Sequence, residues 1–243
     1  MNIKTITFTG ADDSTDPKWL AALSTLHPSV EWGILFSRAH QGAARYPSPV
    51  WIDKLEAVKI ANPRLRLSAH LCGAYVREIC RGRFTEPPGW GMFDRVQLNF
   101  HGIKHDIVGS GFTEVLEEIL SDGKKVIFQM DGTNDGIFEK ARVVVGPERI
   151  FPFFDCSHGA GVVPDTWPCP IDGVMCGYAG GLGPDNLAAE CERISEVVGN
   201  RDIWVDMETK VRSANGQMFD LRKIETCLQI TDMYGEERRC MTP

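Results

Sequence analysis

The feature that most constrains this chain is an alternation. A short run rich in β-branched and aromatic residues is followed by a run of helical period, and the pair recurs to the end without a long Pro/Ser linker. Eight runs read as strands: Lys4–Thr9, Glu31–Phe36, Arg66–Ala69, Asp94–Leu98, Lys125–Met130, Ile150–Phe154, Gly173–Cys176 and Asp202–Asp206. Seven read as helices: Asp16–Leu26, Pro49–Ala61, Ala74–Cys80, Phe112–Leu120, Gly136–Val144, Pro184–Val198 and Phe219–Tyr234, with Asp16, Ser48 and Gly183 at cap positions. Only Gly159–Pro170, after the sixth strand, fails to read as a helix. The 243 residues give about 30 per β/α unit, close to the roughly 250 residues of a (β/α)8 barrel. The expected architecture is therefore a single (β/α)8 TIM barrel over residues 1–243, with an irregular segment in place of the sixth helix. An open doubly wound sheet is the alternative that alternation alone leaves standing.

Charge and cysteine usage narrow the partners. A net charge of −7 repels nucleic acid and anionic lipid over most of the surface, so an anion has to be held at a local site. None of the eight cysteines is spaced Cys-x-x-Cys, which fits free thiols in a reducing compartment. The start MNIKTITFTG lacks a signal-peptide core, and no apolar run of about 18 residues occurs. The expectation is a cytoplasmic protein without membrane or nucleic-acid partners.

In a barrel the chemistry lies at the C-terminal ends of the strands. Polar residues there are Thr9, Ser37, Arg38, His70, Asn99, His101, Gln129, Asp131, Asp155, Ser157, His158, Tyr178, Asp206, Glu208 and Lys210. Asp155 follows the apolar Phe151–Phe154, where a carboxyl can serve as a general acid or, equally, cap backbone amides of the turn SHGAG. Asp131, in QMDGTND, reads more as a turn residue than as a catalytic one. In GYAGGLGPDN, Gly180 and Gly181 let backbone approach a ligand ahead of a helix N-terminus, in the seventh loop, where barrels often bind phosphate. His101 and His105, with His70 one strand earlier, invite a metal, but HGIKH lacks the helical glutamate-bearing spacing of zinc hydrolases. Arg45, in a long loop, is either a solvated charge or a guanidinium for a substrate carboxylate, and Lys210 and Arg212 add positive charge near the seventh loop.

Taken in order, these pieces resemble phosphoribosylanthranilate isomerase, a (β/α)8 enzyme. Thr9-Gly10 stands where that family has Cys-Gly, and Arg45-Tyr46-Pro47-Ser48-Pro49 matches its Arg-Tyr-x-Ser-Pro. Phe153-Phe154-Asp155 with Gly159-Ala160-Gly161 matches its sixth strand and turn, and Ala179-Gly180-Gly181-Leu182-Gly183-Pro184-Asp185-Asn186 its seventh loop. The resemblance implies a cofactor-independent Amadori rearrangement with Asp155 as acid and Arg45 on a substrate carboxylate. The family's base, a cysteine, is replaced by Thr9, and its small eighth loop by Asp206-Met207-Glu208-Thr209-Lys210. A replacement base is then sought in Glu208, Asp131 or His101.

The functional expectation is an isomerase or lyase on a phosphorylated sugar or ribosylated small molecule, a small anionic substrate, needing neither cofactor nor metal. Arg45, His70, Gly180, Gly181 and Lys210 are the expected binding residues. Two alternatives are a non-catalytic small-molecule binder on the same barrel and a metal-dependent lyase using His70, His101 and Asp131.

Overall fold

The computed structural model describes residues 1–100, 108–109, 111–132, 134–155, 157 and 161–234. Eight strands occur in chain order: β1 (Asn2–Thr9), β2 (Val30–Phe36), β3 (Leu67–Leu71), β4 (Arg95–Leu98), β5 (Lys125–Met130), β6 (Ile150–Asp155), β7 (Cys176–Ala179) and β8 (Asp202–Met207). All pair in parallel with their sequence neighbours, and β8 returns to β1, closing the barrel. Helices α1 (Pro17–Leu26), α2 (Pro49–Ala61), α3 (Ala74–Cys80), α4 (Phe112–Ser121), α5 (Asp135–Val145), α6 (Leu187–Val198) and α7 (Leu221–Thr231) lie between them. This is a (β/α)8 TIM barrel. No helix among the described residues joins β6 to β7, where the prolines of residues 164–170 break helical backbone.

Side chains alternate across each strand, so one set faces the helices and the other the barrel axis. Phe8, Ile34, Phe36, Leu67, Leu71, Val96, Leu98 and Phe128 belong to the outer set and pack with Leu20, Leu55, Ile79 and Leu116 of the helices. Helix α4 shows why such segments fold: Phe112, Val115, Leu116, Ile119 and Leu120 fall on one buried face. Asp16 and Ser48 cap α1 and α2, accepting from the Lys18 and Trp51 N–H groups at 2.9 and 3.2 Å.

The inner set is far more polar. Its apolar part is a separate cluster of Ile127, Phe153 and Trp204, with the last two rings stacked at 6.2 Å. Beside them the Arg95 guanidinium lies 4.9 Å from the Trp204 ring and grips Glu31 through two hydrogen bonds of 2.5 and 2.7 Å. Both ions are nearly dry, and this pairing offsets the cost of removing them from water. Gly33 leaves space between them and the strand ends, since a Cβ there would lie 2.3 Å from Thr9 Oγ1 and 2.7 Å from His70 Cε1.

Three of the elements whose bounds differ from the sequence expectation bear on the strand ends. Strand β7 is Cys176–Ala179 rather than Gly173–Cys176: Gly173 turns the chain with φ +76°, and the residue paired with Phe153 is Gly177, which carries no strand signature. Strand β3 runs on to Leu71, which puts His70 inside the barrel wall. Helix α6 begins at Leu187 behind Asn186, not at Pro184 behind Gly183. No helix among the described residues is long and apolar enough to cross a membrane.

Candidate active site

A cavity of about 330 Å³ opens at the C-terminal ends of the strands. Thr9, His70, Gln97, Gln129, Asp155, Ala179 and Asp206 line it from the strands, and Arg45, Tyr46, Gly180, Gly181, Glu208 and Thr209 from the loops. The barrel thus brings to one place groups scattered in sequence over seven strands and three loops. His101 lies outside the described residues.

Asp155 ends β6 and turns its carboxyl inward. Gln129 Nε2 donates to Oδ2 at 2.8 Å, while the Ser157 hydroxyl and N–H donate to Oδ1 at 2.8 and 3.2 Å. Asp155 caps the turn and also faces the cavity. Gln129 is itself fixed from behind, its carbonyl accepting a short bond from the Asn134 amide.

Asp206, on β8, is the group that residue-by-residue reading undervalued. Its carboxyl accepts the Thr9 hydroxyl at 2.7 Å, and Thr9 Oγ1 lies 3.5 Å from His70 Nδ1. Burial raises its pKa well above the ordinary carboxylate range; the Thr9 bond pulls against this, and the nearby charges of Glu208, Glu31 and Asp155 add to the rise. His70, 1% exposed, is pushed down to about 3 by burial and then by Arg95, so its ring is neutral at physiological pH. The signal for Asp206 was present in the sequence, an acid alternating with Trp204 on the inward face of β8, but it emerges only once Thr9 is seen across from it.

Arg45 donates through Nη1 to Glu208 Oε1 at 2.9 Å and to Thr209 Oγ1 at 3.2 Å. Its backbone sits at φ +76°, unusual for a residue with a side chain, and is held there by an N–H bond of 2.6 Å to Asp12 Oδ2. The same oxygen takes Arg212 Nη2 at 2.6 Å. Burial works to raise Asp12, but donors from Ser14, Arg45 and Arg212 together bring it below its usual value. Glu208 is raised by burial among the cavity walls despite the opposing pull of Arg45.

Three expected site residues are placed elsewhere. Arg212 is fully buried on Asp12 and the Gly10 carbonyl, so it adds no charge to the cavity. Lys210 is exposed; its Cβ crosses Gly183, where a Cβ would meet it at 2.4 Å, and it does not line the cavity. Asp131 stands in the turn after β5, its N–H bonded to Asn134 Oδ1 at 3.1 Å, and is likewise absent from the lining. Among the described residues no three His, Cys, Asp or Glu side chains are grouped to hold a metal ion.

The seventh loop is built for close approach. Gly180 and Gly181 have φ of +137° and +60°, and a Cβ on Gly181 would lie 2.6 Å from the Gly161 carbonyl. Asn186 ties the loop together, accepting the Gly183 N–H at 2.9 Å and donating to the Gly181 carbonyl at 3.0 Å. Cys72, which the sequence reading passed over, also lines the cavity. Burial pushes its thiol to about 12, and the Asn99 amide 3.1 Å away does not bring it down to neutral, so it is no thiolate substitute for a family cysteine.

No family model matches the sequence, and no curated protein matches it. Solved structures do. The TrpF of Jonesia denitrificans superposes with a TM-score of 0.57 at 17% identity, over 95% of this chain and 97% of that one. The phosphoribosyl anthranilate isomerase of Thermus thermophilus gives 0.59 at 16%, over 94% and 98%. A phosphoribosyl anthranilate isomerase solved with reduced 1-(o-carboxyphenylamino)-1-deoxyribulose 5-phosphate gives 0.57 at 16%, over 96% and 100%. The chain is a barrel of the phosphoribosylanthranilate isomerase kind in fold.

Proposed function

We propose that this protein is a cofactor-independent isomerase of a phosphorylated sugar derivative, with Asp155 as acid and Asp206 as base. The observation that carries the reading is the pair itself. The two carboxyls stand on β6 and β8 with β7 between them, so their backbones are about two strand spacings, roughly 9–10 Å, apart. Both line the same cavity, which leaves room for a sugar carbon frame between them.

The chemistry balances without an external redox partner. In a ribosylamine, a proton from Asp155 to the ring oxygen lets the C1–O bond break, while the nitrogen lone pair forms C=N. Asp206 then takes the C2 hydrogen as a proton; the released electron pair forms C1=C2 and the C=N pair returns to nitrogen, giving a neutral enaminol. Return of that proton to C1, with loss of the enol proton to Asp155, gives the ketose and restores both carboxyls. A base of raised proton affinity suits abstraction from carbon. Thr9 is a positioning residue in this scheme, and Gly180 and Gly181 receive the phosphate. The solved neighbours support the ligand class through the ribulose phosphate held by one of them.

The experiment is turnover of N-(5-phosphoribosyl)anthranilate and of its decarboxylated N-phenyl counterpart, followed by proton NMR. Conversion of either, lost in Asp155→Asn with the fold retained, supports the proposal. Equal conversion by the variant removes Asp155 from the mechanism, and no conversion of either compound retires the reaction.

A further inference from the structure

We infer that the ligand of this cavity is anionic at one end only, with a phosphate at the Gly180–Gly181 loop and an uncharged or cationic hydrogen-bond donor at the Arg45–Glu208 end. The inference rests on the phosphorylated-ligand reading above and goes beyond it by fixing the charge of the other end.

Arg45 is the one Lys or Arg side chain among the described residues that lines the cavity, and it is already engaged by Glu208 at 2.9 Å and Thr209 at 3.2 Å. Its backbone cannot readily slide to serve a second anion, being held by Asp12, which the buried Arg212 holds in turn. The rest of the titratable wall offers no compensation. Asp155 and Asp206 are acids, and Lys210 and Arg212 do not line the cavity. The neutral ring of His70 and the un-ionised thiol of Cys72 add no positive charge.

A carboxylate on the ligand would therefore have to displace Glu208 from Arg45, leaving that acid unpaired beside Asp206. A hydroxyl, amide or ammonium meets the opposite situation. Glu208 Oε2 takes no hydrogen bond among the described residues, and a donor placed there completes the Arg45–Glu208 pair rather than breaking it. Discrimination by a wrongly paired charge is stronger than discrimination by shape, which makes Glu208 the specificity-determining residue.

The test is calorimetric titration of the intact protein with three probes: ribose 5-phosphate, reduced 1-(o-carboxyphenylamino)-1-deoxyribulose 5-phosphate, and the same compound lacking the carboxylate. The expected result is tighter binding of the decarboxylated compound than of the carboxylated one, by about tenfold or more. Glu208→Gln, which removes the competing charge and leaves Arg45 available, should narrow or invert that ratio. Equal affinity of the wild-type protein for the pair, or preference for the carboxylate, overturns the inference while leaving the phosphosugar reading intact if ribose 5-phosphate binds. Binding of none of the three overturns both.

Discussion

Thr9 reaches across the barrel seam to Asp206, and the consequence of removing its hydroxyl can be worked from the geometry. Thr9→Val keeps the β-branched shape while deleting the 2.7 Å bond to Asp206, the one hydrogen bond that this carboxyl receives among the described residues. A hydrogen bond to a charged group is worth about 1.5–3 kcal/mol. Because the donor favours the ionised form, its loss leaves Asp206 holding its proton more tightly. The assay is a ¹³C NMR titration of the side-chain carboxyls, with Asp206→Asn to assign the resonance. Burial already lifts Asp206 above the usual carboxylate range in the wild type, and the variant's midpoint should lie higher still. The sign carries into stability. A group whose pKa is raised in the folded state stabilises fully below its unfolded value, and that stability is lost as pH rises through the folded value. Wild-type stability should therefore fall from acid toward neutral pH more steeply than that of Asp206→Asn, which cannot ionise. A Thr9→Val midpoint equal to or below the wild-type value would refute the reasoning.

Other parts of the account are open to equally direct checks. Gly33→Ala places a methyl 2.3 Å from Thr9 Oγ1 and 2.7 Å from His70 Cε1; it should destabilise by about 1–3 kcal/mol in urea unfolding, and a neutral effect would show that the strand ends pack more loosely than described. Arg95→Met strands Glu31 in the barrel interior and should cost about 3–5 kcal/mol by the same measurement, with part of the loss recovered in the double variant Glu31→Gln/Arg95→Met. Cys72, with its thiol pushed to about 12, should resist iodoacetamide at pH 8 while the exposed Cys169 reacts, and mass spectrometry showing Cys72 modified first would contradict its environment.

The barrel was legible because its signals are local and repeated. Runs such as Lys125–Met130 and Ile150–Asp155 alternate or saturate in apolar residues, and Asp16 and Ser48 cap helices where their types predict. Strand β7 was displaced because Gly177 must be small to admit Trp204, whose ring would lie 2.1 Å from a Cβ there, and such a constraint comes from β8 rather than from the segment itself. The site was legible as a set of strand ends but not as a set of partnerships. Asp155, Thr9, His70, Arg45 and Glu208 all line the cavity. What pairs with what depends on contacts spanning most of the chain: Thr9 with Asp206, Arg45 with Glu208, Arg212 with Asp12. Of the two positive charges expected beside the seventh loop, Arg212 is turned to the buried Asp12, while Lys210 packs its stem on Gly183 of that loop without lining the cavity.

The central claim is that Asp155 and Asp206 work as a pair on one phosphorylated substrate. The most direct measurement is single-turnover conversion of the N-phenyl ribosylamine 5-phosphate by wild type, Asp155→Asn and Asp206→Asn, with circular dichroism confirming that all three are folded. The account predicts ketose formation by the wild type and a loss of about 10²-fold or more in each variant, the scale of a positioned proton-transfer group. Wild-type rates in a folded Asp206→Asn protein would contradict it.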